Sequence, residues 1–85
     1  MDIEQNLDAL PRVELFSSKP LAISAQEVTE TKLGTDAEPV YRYDGLHLLA
    51  VSGGRLFFLP EGWTVRGGAV VVLPDNDAVR VEYGR

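Results

Sequence analysis

Apolar and polar residues alternate along the last part of the chain, which predicts a β-strand over residues 79–83. One side of this segment is apolar and the other is charged, with Val79, Val81 and Tyr83 on the first and Arg80 and Glu82 on the second. Successive side chains of a strand point to opposite faces of the sheet. The pattern therefore predicts a strand with one packed and one solvated face.

The same period of two predicts shorter strands in the first half of the chain. Alternating residues at 12–16, 21–24 and 28–33 indicate three strands, and Ser-Ser-Lys-Pro at 17–20 has the composition of a turn. Residues 34–39 are polar, with a glycine and a proline at the ends, which is typical of a loop.

Before Pro11 the period changes to that of a helix. Ile3, Leu7 and Leu10 are spaced i, i+4, i+7, so they share one face of a helix over residues 2–10. Proline disfavours the helical conformation of the residue before it, so we expect this amphipathic helix to end at Pro11.

Two segments, 51–61 and 65–75, match at an offset of fourteen, and each contains Gly-Gly, an apolar run, Leu-Pro and an acid. Paired glycines supply the positive φ angles of a two-residue hairpin turn. We therefore predict two hairpins, whether the match reflects duplication or convergent turn chemistry. The predicted pairs are Ser52–Arg55, Val51–Leu56, Ala50–Phe57 and Leu49–Phe58, then Arg66–Ala69, Val65–Val70, Thr64–Val71 and Trp63–Val72.

Alternation places apolar residues on both faces of the first hairpin. One face is expected to carry Leu49, Val51, Leu56 and Phe58, and the other Leu46, Leu48, Ala50, Phe57 and Leu59. A second apolar face has to be covered by the N-terminal elements, closed into a barrel, or buried against another chain.

These patterns predict a mainly β (small α+β) fold, an antiparallel β-meander that is open or partly closed as a barrel or roll, with one short N-terminal helix. The 85 residues are enough for a single domain. We divide it into a helix (1–10), N-terminal strands (12–33), a loop (34–39) and the meander (40–83).

Composition excludes several classes of function. The chain has no cysteine, which excludes disulfides and cysteine-ligated metals. Thirteen acids against eight bases give a net charge of −5, which disfavours nucleic acid as a partner. No apolar run reaches the length of a membrane helix, and the acidic N-terminus is unlike a signal peptide.

We expect no catalytic residue, no metal site and no cofactor. His47 is the only histidine and has no companion at a metal-ligand or catalytic spacing, so it is interpreted as a structural residue. Asp75-Asn76-Asp77 resembles the start of a calcium loop, but it lacks the later ligands and fits a hairpin turn better.

Three aromatic residues form the candidate interaction surface. Tyr41 and Tyr43 share one face of a predicted strand beside Arg42, and Trp63 lies next to a glycine. Aromatic residues with an arginine are typical binding anchors, while packing in the core or at its rim is the alternative interpretation.

The residues also resemble a known kind of domain. The stretches 41–49, 52–60, 62–63 and 71–75, with Leu-Pro-Arg-Val at 10–13, are similar to a small domain of uncharacterised membrane-anchored proteins of actinobacteria. The resemblance implies a domain that follows a membrane helix and faces outward, and it implies no activity.

Together these observations predict a non-catalytic accessory or protein-interaction domain, the soluble part of a cell-envelope protein. The alternative is a cytoplasmic acidic inhibitor or assembly subunit that binds a basic partner. We expect a protein partner or self-association, no nucleic acid, and a membrane only through a longer parent chain. The envelope is the expected location of an excised domain, and the cytoplasm that of a complete chain.

Overall fold

The protein folds into one antiparallel sheet of six strands. A computed structural model describes residues 9–23, 25–64 and 66–83. The strands are β1 (Arg12–Ser17), β2 (Thr29–Gly34), β3 (Pro39–Ser52), β4 (Arg55–Pro60), β5 (Val71–Pro74) and β6 (Val79–Tyr83). The predicted mainly β, antiparallel architecture is confirmed, and the sheet is not closed into a barrel. Most of the predicted helix over 2–10 lies outside the described residues.

The long strand β3 organises the sheet, whose order is β5-β4-β3-β1-β6 with β2 also paired to β3. The first half of β3 pairs with β2 and the second half with β4, while β1 runs along the opposite edge. The change of partner occurs at Gly45, where φ is +96°. A Cβ atom there would collide with the carbonyl oxygen of Glu27, so only glycine allows this close approach.

The first predicted hairpin is confirmed at its turn and over three of its four pairs. Gly53 and Gly54 have φ of 60° and 73°, as a two-residue turn of this hand requires. The pairing then shifts, because Phe58 lies opposite Leu48 and leaves Leu49 in a β-bulge. The predicted Leu49–Phe58 pair is therefore wrong.

The bulge changes which residues share a face. Beyond it, Leu46 and Leu48 lie on the face of Phe58, whereas sequence alternation had assigned them to the opposite face. We attribute the bulge to burial, because it brings more apolar side chains onto the packed face. The core that results contains Val13, Leu15, Tyr43, Leu46, Leu56, Phe58 and Val79.

The second hairpin is not the one predicted, because the described residues show no strand pairing across Gly67-Gly68 and β4 pairs with β5 instead. Strand β5 pairs with β4, so Val72 lies opposite Phe57 rather than Trp63. The predicted pairs of Trp63, Thr64 and Arg66 are wrong, since β4 ends at Pro60 and β5 begins only at Val71, and the predicted Val65–Val70 pair lies outside the described residues. Neither glycine of the second pair has a positive φ.

The β1–β2 connection covers the packed face of the sheet. Of the predicted strand over 21–24, Ser24 lies outside the described residues, and residues 21–23 form no strand, because the Ile23 amide donates to the carbonyl of Leu21 at 2.9 Å rather than to another strand. Side chains of Leu21, Ile23 and Val28 instead pack on the core. This connection, rather than barrel closure, buries the apolar face.

The last strand departs from a simple meander. Strand β6 pairs with β1, not with β5, and so becomes one edge of the sheet. Its predicted alternation is present from Val79 to Glu82, whereas Tyr83, which was predicted on the packed face, is 66% exposed. Among the described residues, no helix has the length and hydropathy needed to span a membrane.

Candidate functional site

Of the three predicted interaction residues, Tyr43 is a core residue. Its side chain is 2% exposed, and its hydroxyl accepts a hydrogen bond from the Leu21 amide and donates one to the Glu30 carboxylate, each at 2.6 Å. Burial raises the pKa of this phenol above its ordinary value, and the hydrogen bond to Glu30 raises the pKa further. Because no partner can reach the ring, we leave Tyr43 out of the proposed interaction surface.

Tyr41 and Trp63 lie in different parts of the molecule. Tyr41 is half-buried at the rim of the core, in the half of β3 that lies opposite β2. Trp63 belongs to the β4–β5 connection. The structure therefore does not gather the three predicted residues into one surface.

Trp63 lies in the wall of an open cavity of about 510 Å³, which we call the Trp63 groove. It is lined by residues 22–23 and 25–27 of the β1–β2 connection, by 60–64 and 67–70, and by 71–73 of β5. The indole packs against Gly68, where a Cβ atom would collide with the ring. The Thr64 carbonyl fixes this contact by accepting a hydrogen bond from the Gly68 amide at 2.8 Å.

The indole N–H of Trp63 is buried without an acceptor among the described residues. A buried donor without a partner costs about 1–3 kcal/mol. Such a group is a reason to look for a ligand beside it.

One wall of the Trp63 groove is a free sheet edge. Strand β5 pairs only with β4, so its other side presents unpaired main-chain groups within the described part of the chain. Val70 and Val72 beside it are 45% and 46% exposed. These two valines were not predicted to be exposed, since an apolar run is typical of a buried strand when its neighbours are unknown.

His47 is buried and contacts two separate segments of the chain through its ring nitrogens. It is 1% exposed, and its Nδ1 lies 3.1 Å from the Leu10 carbonyl oxygen while its Nε2 lies 2.6 Å from Glu61 Oε2. The same carboxylate lies 3.6 Å from the Arg12 guanidinium. The imidazole thus connects the chain before β1 to the β4–β5 connection.

A second cavity, of about 560 Å³, carries several acids on its wall, and these are Glu14, Glu27, Asp44 and Glu61. Arg42 lies 3.8 Å from Glu14 and 3.0 Å from Asp44. His47 does not line this cavity. Within the described residues, no three side chains of the kinds that ligate metals come together.

The segment that resembles a calcium loop forms a turn between β5 and β6. The side chain of Asn76 accepts a hydrogen bond from the Ala78 amide at 2.8 Å, and its carbonyl accepts one from Val79 at 3.3 Å. Asp75 and Asp77 are exposed. This is the turn chemistry expected of the sequence.

Comparisons of the chain with protein-family models, with curated proteins and with solved structures found no match. The resemblance noted from residues 41–75 therefore stays a prediction.

Proposed function

We propose that the domain is a non-catalytic protein-interaction module that binds an extended apolar segment of a partner along β5. The observation that supports this proposal is the adjacency of a free strand edge and the Trp63 groove. We further propose that the module is the soluble part of a cell-envelope protein, which the resemblance in residues 41–75 supports.

The recognition mode is strand addition. A partner segment lying antiparallel or parallel to β5 would form main-chain hydrogen bonds with its unpaired amides and carbonyls. Alternate side chains of that segment would point into the groove, toward Trp63 and Val71, and the others would lie near Val72. Main-chain hydrogen bonds give affinity in this mode, and the groove selects apolar side chains.

The buried indole N–H strengthens the case for a bound segment. This nitrogen has almost no accessible surface and lies against Gly68, so a carbonyl or hydroxyl oxygen of the partner would satisfy it only if the indole turns toward the groove on binding. A satisfied donor removes the desolvation penalty, so part of the binding free energy would come from that single contact.

The acidic alternative has weaker support. An inhibitor of a basic partner needs uncompensated negative charge gathered on one surface, yet in the acid-lined cavity Glu14 and Asp44 lie beside Arg42, and Glu61 lies beside Arg12 and His47. Paired charges steer a basic partner less than free ones do. We therefore prefer an apolar partner segment bound along the free edge of β5.

The proposal predicts which peptides the domain selects and which residue they need. Screening the purified domain against a library of short random peptides should enrich sequences in which apolar residues alternate. Bound peptides should shift the fluorescence of Trp63, the one tryptophan of the chain. Trp63→Ala should weaken their binding about tenfold or more, because aromatic anchors in grooves often contribute more than 1.4 kcal/mol.

Leu33→Ala is the matched control, since Leu33 is an exposed apolar residue at the edge formed by β2. It should leave peptide affinity unchanged. Selection of peptides without apolar alternation, or equal binding by Trp63→Ala and wild type when both are folded, would contradict the proposal.

A further inference from the structure

We propose that β6 pairs with β6 of a second copy of this chain, antiparallel about Val81, to form a two-fold symmetric dimer. Strand β6 ends the strand order and pairs only with β1 among the described residues. Its second edge therefore offers main-chain donors and acceptors over five residues. A two-fold axis lets each copy satisfy the edge of the other.

The charges of β6 select this register. Antiparallel pairing centred on Val81 places Arg80 opposite Glu82 of the second copy, and the reverse pair forms by symmetry. Centring the pair on Arg80 or on Glu82 would place like charges opposite each other, which destabilises a sheet. A shift of one residue would also exchange the apolar and polar faces.

The two charges already lie on one face and in contact. Arg80 Nη2 is 2.9 Å from Glu82 Oε2 of its own strand, and both side chains are largely exposed. Each group can therefore contact its counterpart in the second copy without leaving the face it occupies. The guanidinium also lies over the Phe16 ring, 4.7 Å from its centre, which limits its rotation.

The apolar face of β6 is also self-complementary. In the same register, Tyr83 lies opposite Val79 of the second copy and Val81 lies opposite its equivalent. Tyr83 is 66% exposed, the largest exposure among the large apolar residues of the described chain. Pairing would cover this ring, and exposed apolar surface drives association.

The other free edges fit a second copy less well. Strand β2 also has opposite charges around a central residue, but Glu30 accepts a hydrogen bond from Tyr43 and Lys32 pairs with Asp36. Strand β5 has four residues and no charged side chain that would fix the register of a symmetric pair. Among the described strands, β6 alone combines two opposite charges that contact each other on one exposed face with an exposed aromatic residue.

The dimer and the proposed peptide site are separate. Strands β5 and β6 lie at opposite ends of the strand order, so occupation of one edge leaves the other open. Loss of dimerisation in a β6 variant should therefore leave peptide binding unchanged, and the two proposals can fail independently.

Exchanging the charges at positions 80 and 82 tests the register of the proposed dimer. Sedimentation of the whole chain up to about 1 mM, the range of weak small interfaces, should show a concentration-dependent dimer. Salt near 0.15 M screens the repulsion between two copies of net charge −5. Arg80→Glu and Glu82→Arg should each weaken self-association about tenfold or more, because every cross-strand charge pair becomes repulsive.

Complementation provides the decisive measurement. An equimolar mixture of Arg80→Glu and Glu82→Arg should form a heterodimer, since position 80 of each variant then faces an opposite charge at position 82 of the other. The double variant R80E/E82R should dimerise again with itself. Arg55→Glu changes the net charge as much as Arg80→Glu does but lies in β4, so it should dimerise like wild type.

Three results would overturn the proposal. They are a monomeric wild type throughout the concentration range, charge variants that dimerise like wild type, and folded single variants that fail to associate when mixed. Thermal unfolding of each variant shows that it is folded, and the double variant tests the register even if one single variant is not.

Discussion

At the scale of single residues, Gly45 is the position where the backbone tolerates least change. It combines a φ of +96° with a carbonyl oxygen directly against the place of a missing side chain. Gly53 has a φ of +60° but no atom within 4 Å of its virtual Cβ. Alanine substitutions at these two glycines therefore separate the free-energy cost of a positive φ from that of a steric clash.

Gly45→Ala should lower the free energy of unfolding by about 3 kcal/mol or more, because a conformational cost of 1–2 kcal/mol adds to that of overpacking. Gly53→Ala should lower it by about 1 kcal/mol, since only the conformational cost applies. Urea denaturation of both variants checks this. Equal losses would show that the contact between Gly45 and Glu27 contributes nothing.

Tyr43 is the residue whose chemistry depends on its position in the core. Tyr43→Phe keeps the ring but removes the acceptor of the Leu21 amide and the donor to Glu30. We expect a loss of about 1–3 kcal/mol in the free energy of unfolding at neutral pH, because a buried donor is left without a partner. Tyr83→Phe, on an exposed ring, should cost almost nothing.

The raised pKa of Tyr43 also predicts an alkaline limit to stability. The folded state holds the phenol proton more tightly than the unfolded state, whose pKa is near the ordinary 10.0. Its contribution is fully present below that value and is lost as the pH rises through the folded pKa. The difference in stability between wild type and Tyr43→Phe should thus shrink above pH 10, and a constant difference would contradict this assignment.

At the scale of elements, the sequence predicted those features that depend only on residues close together in the chain. The turn at Gly53-Gly54 and the alternation of β6 depend on φ preferences and on a period of two, and both are present. The bulge at Leu49 depends on which face of β3 the core needs. That choice requires the partner strands, so the hairpin alone could not predict it.

The hairpin turn predicted at Gly67-Gly68 is wrong for a related reason. A Gly-Gly sequence permits a tight turn but does not require one. Trp63 packs against Gly68, so this glycine provides room for a ring rather than a positive φ. Similarly, Pro20 and the hydrogen bond from Leu21 to Tyr43 carry residues 21–23 across the sheet, although their alternation is that of a strand.

The candidate site was predicted in part, because the sequence identifies aromatic residues but not their exposure. The sequence does not distinguish Tyr41, Tyr43 and Trp63 as anchors. In the fold, Tyr41 lies at the rim of the core, Tyr43 in the core and Trp63 in the wall of the groove. The edges of a sheet are set by topology, and β6 becomes an edge only because it returns to β1.

At the scale of the whole molecule, the strand order predicts how stability is distributed. Strands β1 and β3 each lie between other strands, whereas β5 pairs with β4 alone in the part of the chain that the structure describes. Amides in central strands exchange only through large openings, and those of short edge strands exchange through local ones. We therefore expect amide exchange to be slowest near Leu15 and Leu46 and fastest among the strands in β5.

Hydrogen exchange resolved by residue measures these differences in amide exchange rate and also tests the two free edges. At low protein concentration, β5 and β6 should both exchange faster than β3, because each has a single partner strand. Raising the concentration should slow only the β6 amides, since pairing with a second copy protects that edge. Adding a selected peptide should slow only the β5 amides. Exchange in β5 as slow as in β3, without any peptide, would show that this edge is already covered and unable to accept a partner strand.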